Sequence, residues 1–150
     1  MKIGIGNDHA GVAFKNQLVE YLESKGFEVV DYGSKDPAAK DDYPDFGLAV
    51  GEAVASGEVE KGVLICGTGI GISLAANKVP GIRAAVVSDT ASARLCVQHN
   101  NANIISIGER IVGFELAKDI LDSFFGAEFL GGRHERRVQK IMDIEKKYNK

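Results

Sequence analysis

Short, unbroken apolar runs alternate along this chain with longer stretches in which apolar residues recur every three or four positions. KIGIG (2–6) reads as a buried strand. In VAFKNQLVEYLESKG (12–26), Val12, Phe14, Leu18, Val19 and Leu22 predict an amphipathic helix stopped by Gly26. FEVVDYG (27–33) is a second strand and SKDPAAKDDYP (34–44) a polar loop with two prolines. DFGLAVGEAVASGE (45–58) reads as helical despite its glycines. GVLIC (62–66) lacks polar alternation, so it is a strand buried on both faces, and the glycine-rich stretch after it leads into a helix. GIRAAVVS (81–88) is the fourth strand, TASARLCVQHN (90–100) a helix, NIISIGE (103–109) the fifth strand and GFELAKDILDSFFG (113–126) a helix. HERRVQKIMDIEKKYNK (134–150) carries a charged last helix, about 134–149.

Repeated strand–helix units predict a parallel sheet with helices on both faces. The expected fold class is α/β: one domain over residues 1–150, a three-layer, Rossmann-like sandwich around five parallel strands. Composition agrees, since 150 residues at 45% hydrophobic and 26% charged suit one globular core. A net charge of -3 tells against nucleic-acid or anionic-membrane partners. No apolar run approaches the roughly 18 residues of a membrane span, and MKIGIGNDHAG lacks a leader's charged-then-apolar pattern. The two cysteines, Cys66 and Cys96, are too few for a disulfide scaffold. The expectation is a cytoplasmic protein with both thiols reduced.

In such sheets ligands bind beyond the C-terminal ends of the strands. Those ends hold Asn7, Asp8 and His9; Asp41, Asp42 and Tyr43; Cys66 to Gly71; Ser88 and Asp89; and Glu109 and Arg110. The glycine loop matches no nucleotide fingerprint. A dinucleotide loop would need a glycine, and a cysteine phosphatase an arginine, where Ile72 stands; Val12 replaces a P-loop lysine after Gly6 and Gly11. Gly67, Gly69 and Gly71 instead bare the backbone amides at a helix start, which makes an oxyanion hole and favours a thiolate. Cys66 is then a candidate base or nucleophile, and Thr68 a hydroxyl partner. The competing reading makes Cys66 a small buried hydrophobe, as Cys96 is between Leu95 and Val97.

The basic residues also admit two readings each. His9 is either a turn residue capping the next helix or an imidazole oriented by Asp8. His99 is either a dipole-stabilised surface histidine or a site residue. Arg133 and Arg137, four apart, share a helix face as a phosphate clamp or lie in a solvated basic turn, with His134 and Arg136 pointing elsewhere.

The stretches GNDHAG (6–11), DYP (42–44), ICGTGIGISLAANK (65–78), GIRAA (81–85), QHNNANI (98–104), GERIVG (108–113) and GGRHERRV (131–138) together resemble the family of the type B ribose-5-phosphate isomerases, which also holds allose-6-phosphate and galactose-6-phosphate isomerases. The resemblance implies an aldose–ketose isomerase of the pentose phosphate pathway, working through an enediolate without metal or other cofactor. It implies Cys66 as the base and Thr68 as an aid to proton transfer, with the amides of Gly67, Gly69, Ile70 and Gly71 holding the enediolate. Asp8 and His99 would open the furanose ring, Tyr43 and Asn100 would contact the sugar, and His9, Arg110, Arg133 and Arg137 would bind the phosphate. Some relatives replace the cysteine with a glutamate further along the helix; here Ser73, Leu74 and Ala75 offer no carboxylate. The family also implies a homodimer or tetramer with shared sites, and a hexose 6-phosphate as the alternative substrate. The rival from another class is a non-catalytic sugar-phosphate or nucleotide module with a flavodoxin-like or receiver-like sheet. A receiver would need an acceptor aspartate where Cys66 stands.

Overall fold

Five strands pair in one parallel sheet: β1 (Lys2–Asn7), β2 (Glu28–Asp31), β3 (Lys61–Cys66), β4 (Ala84–Val86) and β5 (Ile104–Gly108), in the order β2-β1-β3-β5-β4. The structure is a computed structural model that describes residues 1–149; Lys150, the last residue of the charged tail, lies outside the described residues. The helices are α1 (Val12–Ser24), α2 (Tyr43–Ala55), α3 (Ile70–Ala76), α4 (Thr90–Asn100), α5 (Phe114–Phe125) and α6 (Arg133–Tyr148).

The strand alternation sorts side chains into two cores, one on each face of the sheet. Ile3, Ile5, Val63, Ile65, Ile105 and Ile107 pack under α1, α4 and α5, against Leu18, Leu22, Val97, Ile120 and Phe124. Leu64, Cys66 and Ile104 pack on the other face against Val50, Val54, Ile72 and Ala76 of α2 and α3. Each buried aliphatic side chain of this kind contributes about 1.5–3 kcal/mol. Strands covered on both faces read as continuous apolar runs, and the three-layer sandwich is as expected.

Several boundaries differ from the sequence reading, and for two of them the structure shows why. The fourth strand shrinks to Ala84–Val86. Before it, side chains take the bonds that a ladder would use: Asn103 Oδ1 accepts from the Arg83 amide (2.8 Å) and its Nδ2 donates to the Gly81 carbonyl (2.9 Å). Asn77 clasps both backbone groups of Ala84 at the strand's start (2.8 and 3.0 Å). The second difference is that α2 starts at Tyr43 rather than after the prolines, because Pro44 falls in the first turn, where no helical amide bond is lost.

From β1 the chain crosses to β2 on one side, and from β3 it crosses toward β5 and β4 on the other. The C-terminal ends of β1 and β3 therefore flank the point where the winding reverses, the crevice in which open α/β sheets bind ligands. Among the described residues no helix is long and apolar enough to cross a membrane. The outermost helix, α6, packs along α4 and buries only His134 and Val138, leaving Ile141, Ile144 and Tyr148 exposed.

Candidate active site

β3 delivers Cys66 to the sheet edge, and the loop after it is held by β5. The Glu109 amide donates to the Cys66 carbonyl (2.9 Å), and the Arg110 amide to that of Gly67 (3.0 Å). Ser106 Oγ donates to the Gly69 carbonyl (2.6 Å). Gly69 turns with φ 78°, in the left-handed region, and a Cβ there would stand 2.7 Å from the Ile107 carbonyl carbon, so only glycine fits. This turn aims the Gly69 amide back at Cys66, where it donates to Sγ (3.1 Å). The thiol thus has a fixed donor that stabilises negative charge on sulfur.

α3 is only seven residues long, so individual amides, not a long helix dipole, provide the polarity here. Thr68 Oγ1 accepts from the Ile70 amide (3.2 Å). Ile70 and Gly71, in the first turn of α3, have amides without carbonyl partners inside the helix. Tyr43, at the start of α2, lays its ring on Gly71, where a Cβ would stand 2.5 Å from the ring.

From β1, Asn7 is fully buried and donates through Nδ2 to the carbonyls of Asp8 (2.8 Å) and Ser34 (3.1 Å). Asp8 Oδ1 is buried without a hydrogen-bond partner. His9 Nδ1 lies 2.8 Å from Asp41 Oδ1, which also accepts from the His9 amide at 2.9 Å. The Asp41 hydrogen bond pushes the His9 pKa up, against a smaller opposing effect of desolvation. Desolvation would raise Asp41, but the Ser34 hydroxyl and His9 outweigh it and hold the carboxyl below the usual carboxylate range. Asp8, His9, Tyr43, Cys66, Thr68 and Arg110 line one open pocket of about 340 Å³, floored by Gly67 and Gly71.

The other expected site residues lie elsewhere. His99 and Asn100 close α4, which Asn101 ends in a left-handed turn (φ 48°). Arg133 and Arg137 stand exposed on the first turns of α6. None of the four lines the Cys66 pocket. A larger groove, about 540 Å³, runs between β4 and α6 and takes in Asn100. Its walls are largely Ile82, Ala84, Ile141, Ile144 and Tyr148, with no thiol or imidazole among them.

His134 does point away from Arg133 and Arg137: they stand exposed, whereas it is buried, its ring stacked on His99 with centroids 4.2 Å apart and planes at 10°. Burial first, then His99, Arg133 and Arg137, push its pKa down. Two further residues escaped notice. Asp41 was visible at the sheet edge but had no assigned part. Lys15 stands in the apolar stripe Val12–Lys15–Leu18–Leu22, and a lysine there is itself a signal. It is 1% exposed and pairs with Asp31 Oδ2 at 2.6 Å. Among the described residues no three His, Cys, Asp or Glu side chains are grouped to hold a metal ion.

The ribose/galactose isomerase family model matches residues 3–141. The chain is 49% identical to ribose-5-phosphate isomerase B of Escherichia coli, over 99% of each protein. It superposes on ribose-5-phosphate isomerase B of Clostridium thermocellum with TM-score 0.97 at 56% identity, covering 99% of this chain and 100% of the other. A crystal structure of ribose-5-phosphate isomerase B from Mycoplasma genitalium with bound ribulose-5-phosphate matches with TM-score 0.92 at 44% identity, covering 97% and 96%.

Proposed function

From the premise that this chain belongs to the ribose/galactose isomerase family, we propose that it interconverts ribose 5-phosphate and ribulose 5-phosphate. The observation that carries the reading is one pocket in which an amide-bonded thiol meets a hydroxyl, a buried carboxylate and cationic groups: Cys66, Thr68, Asp8, Arg110 and His9.

The reaction moves a proton between C1 and C2 of the open-chain sugar. Cys66, as thiolate, takes the C2 proton of the aldose, leaving an enediolate, and returns a proton to C1 to give the ketose. The negative charge then lies on the substrate oxygens. The amides of Gly67, Ile70 and Gly71 face that charge, while the Gly69 amide donates to the sulfur. Thr68 accepts from the Ile70 amide and keeps its hydroxyl proton to exchange with the sugar oxygens. Asp8, unpartnered in its buried position, suits hydroxyl-proton transfer during ring opening, with His99 as its counterpart.

His9 and Arg110 bind the phosphate from this side. Arg133 and Arg137, with His99 and Asn100, act on the pocket of a second copy, so the working unit is a homodimer or a higher assembly with shared sites. Two observations support this: the separation of the two groups of residues, and the exposed Ile141, Ile144 and Tyr148, an apolar stripe suited to cover by another copy. The setting is the pentose phosphate pathway in the cytoplasm.

The test is initial rates on ribose 5-phosphate and allose 6-phosphate, side by side, with excess EDTA. Faster turnover of ribose 5-phosphate is expected. Preference for allose 6-phosphate would keep the chemistry and change the substrate, and folded protein inactive on both would overturn the proposal.

A further inference from the structure

We infer that Asp41 is a positioning residue for His9, dictating which imidazole nitrogen is offered to the substrate's phosphate. The inference rests on His9 acting as a phosphate ligand. A single carboxylate oxygen, Asp41 Oδ1, meets both the backbone amide and Nδ1 of His9, at 2.9 and 2.8 Å. Two contacts to one acceptor fix the ring as well as the chain that carries it. An ionised carboxylate has no proton to give, so Nδ1 carries the hydrogen. Nε2 is then the nitrogen left for a ligand.

This has an electrostatic consequence. With hydrogen on Nδ1, the neutral ring offers a bare lone pair at Nε2, which repels a phosphate oxygen. Only the charged ring presents an N–H there, and Asp41 favours that charged form. The charges around His9 divide by element: Asp8 follows β1, Asp41 is on the loop after β2, and Arg110 follows β5; Tyr43 on α2 and Cys66 on β3 line the same pocket. The two carboxylates favour the imidazolium and the arginine opposes it.

The loop that carries Asp41 is anchored at its start by a buried network. The Ser34 carbonyl accepts from Lys15 Nζ and from Asn7 Nδ2, both at 3.1 Å. Lys15 is paired to Asp31 at the end of β2. A buried ammonium is costly unless paired and hydrogen-bonded, and here both partners tie it to the start of the loop that carries Asp41. The loop that brings Asp41 to His9 thus starts from a carbonyl held by a lysine on the inner face of α1.

The test compares Asp41→Asn, His9→Gln and the double variant with the parent. Asparagine keeps an acceptor for Nδ1–H and removes the charge. KM for ribose 5-phosphate should rise toward alkaline pH in the parent, as the imidazolium is lost above its raised pKa. In Asp41→Asn that rise should begin at lower pH, with KM at pH 8 up about threefold or more and kcat changed less. The double variant should be no worse than His9→Gln. Imidazole ¹⁵N shifts, which need no turnover, should show His9 titrating at lower pH in Asp41→Asn. Superimposable KM profiles, or unchanged His9 titration, would overturn the inference while leaving His9 its phosphate role. An unchanged KM in His9→Gln would overturn both.

Discussion

The two groups of site residues are built on different physical plans. At the β1–β3 edge each reactive group hangs from a strand end or the loop just beyond it. Its backbone is clasped by neighbours, as the Cys66 and Gly67 carbonyls are by Glu109 and Arg110. At the α4–α6 end, His99 and Asn100 sit on a helix C-terminus and Arg133 and Arg137 on exposed first turns. Making and breaking C–H bonds needs atoms placed within about half an ångström. Meeting a phosphate needs charge, which long arginines deliver with tolerance. The rigid half therefore suits the C–H chemistry, and the helix-borne half suits phosphate capture and ring opening and can come from another molecule.

The sharpest way to break this division is Cys66→Ala. Turnover should fall about 10³-fold, within the range for loss of a positioned proton-transfer group, with circular dichroism unchanged. More than about a tenth of parental turnover, one 1.4 kcal/mol step, would put the base elsewhere. Next in size is complementation. Cys66→Ala and His99→Ala should each be inactive alone. A mixed dimer isolated with two affinity tags pairs an intact Cys66 with the other chain's intact His99 at one of two sites. It should recover about half of parental activity by that symmetry. No recovery from a confirmed mixed dimer would confine each site to a single chain.

The two halves were also unequally legible in the sequence. Cys66, Thr68 and the glycines form one contiguous stretch, and a strand followed at once by a bare backbone announces itself. The same holds for the three central strands, β1, β3 and β5, whose cover on both faces leaves them no polar alternation. What stayed hidden depends on contacts between distant positions. Asp41 gains its part only by meeting His9, 32 residues earlier. His134 looked like one member of a basic run, yet lies buried against His99. The fourth strand was read too long because Asn77 and Asn103, side chains outside it, take the bonds around its start. Lys15 was readable in principle, since a lysine within an apolar stripe needs a buried partner; which partner was decided by the fold.

A smaller effect would sharpen the claim that the helix-borne arginines handle substrate. Arg137→Ala should raise KM for ribose 5-phosphate about tenfold, the loss of one charge-assisted contact. kcat should change less, because the phosphate lies far from the carbons that exchange protons. An unchanged KM would remove Arg137 from the phosphate site. A kcat that falls as far as kcat/KM would mean that it contributes only in the transition state.

The smallest expected effect concerns how the second half is held together. His134 is buried beside His99 and two arginines, so its folded pKa lies below the ordinary value of a histidine. As pH drops below that ordinary value, near 6.5, the unfolded chain takes up a proton that the folded chain refuses. The unfolded state then binds more protons, so stability falls with falling pH until the depressed folded pKa is reached. His9 works in the opposite sense: its raised pKa adds stability below the unfolded value, which is lost as pH rises through the folded one. The raw profile of Tm against pH therefore mixes two signs, and only a difference isolates His134. His134→Phe keeps a flat ring against His99 and removes the titration. Between pH 7 and 5 its Tm should fall less than the parent's, while turnover at pH 8 stays within about threefold of parental, since a planar partner remains. A flat difference in Tm would mean that His134 takes up its proton equally in both states. A tenfold loss of turnover with Tm unchanged would make the imidazole itself, rather than the stack, what His99 requires.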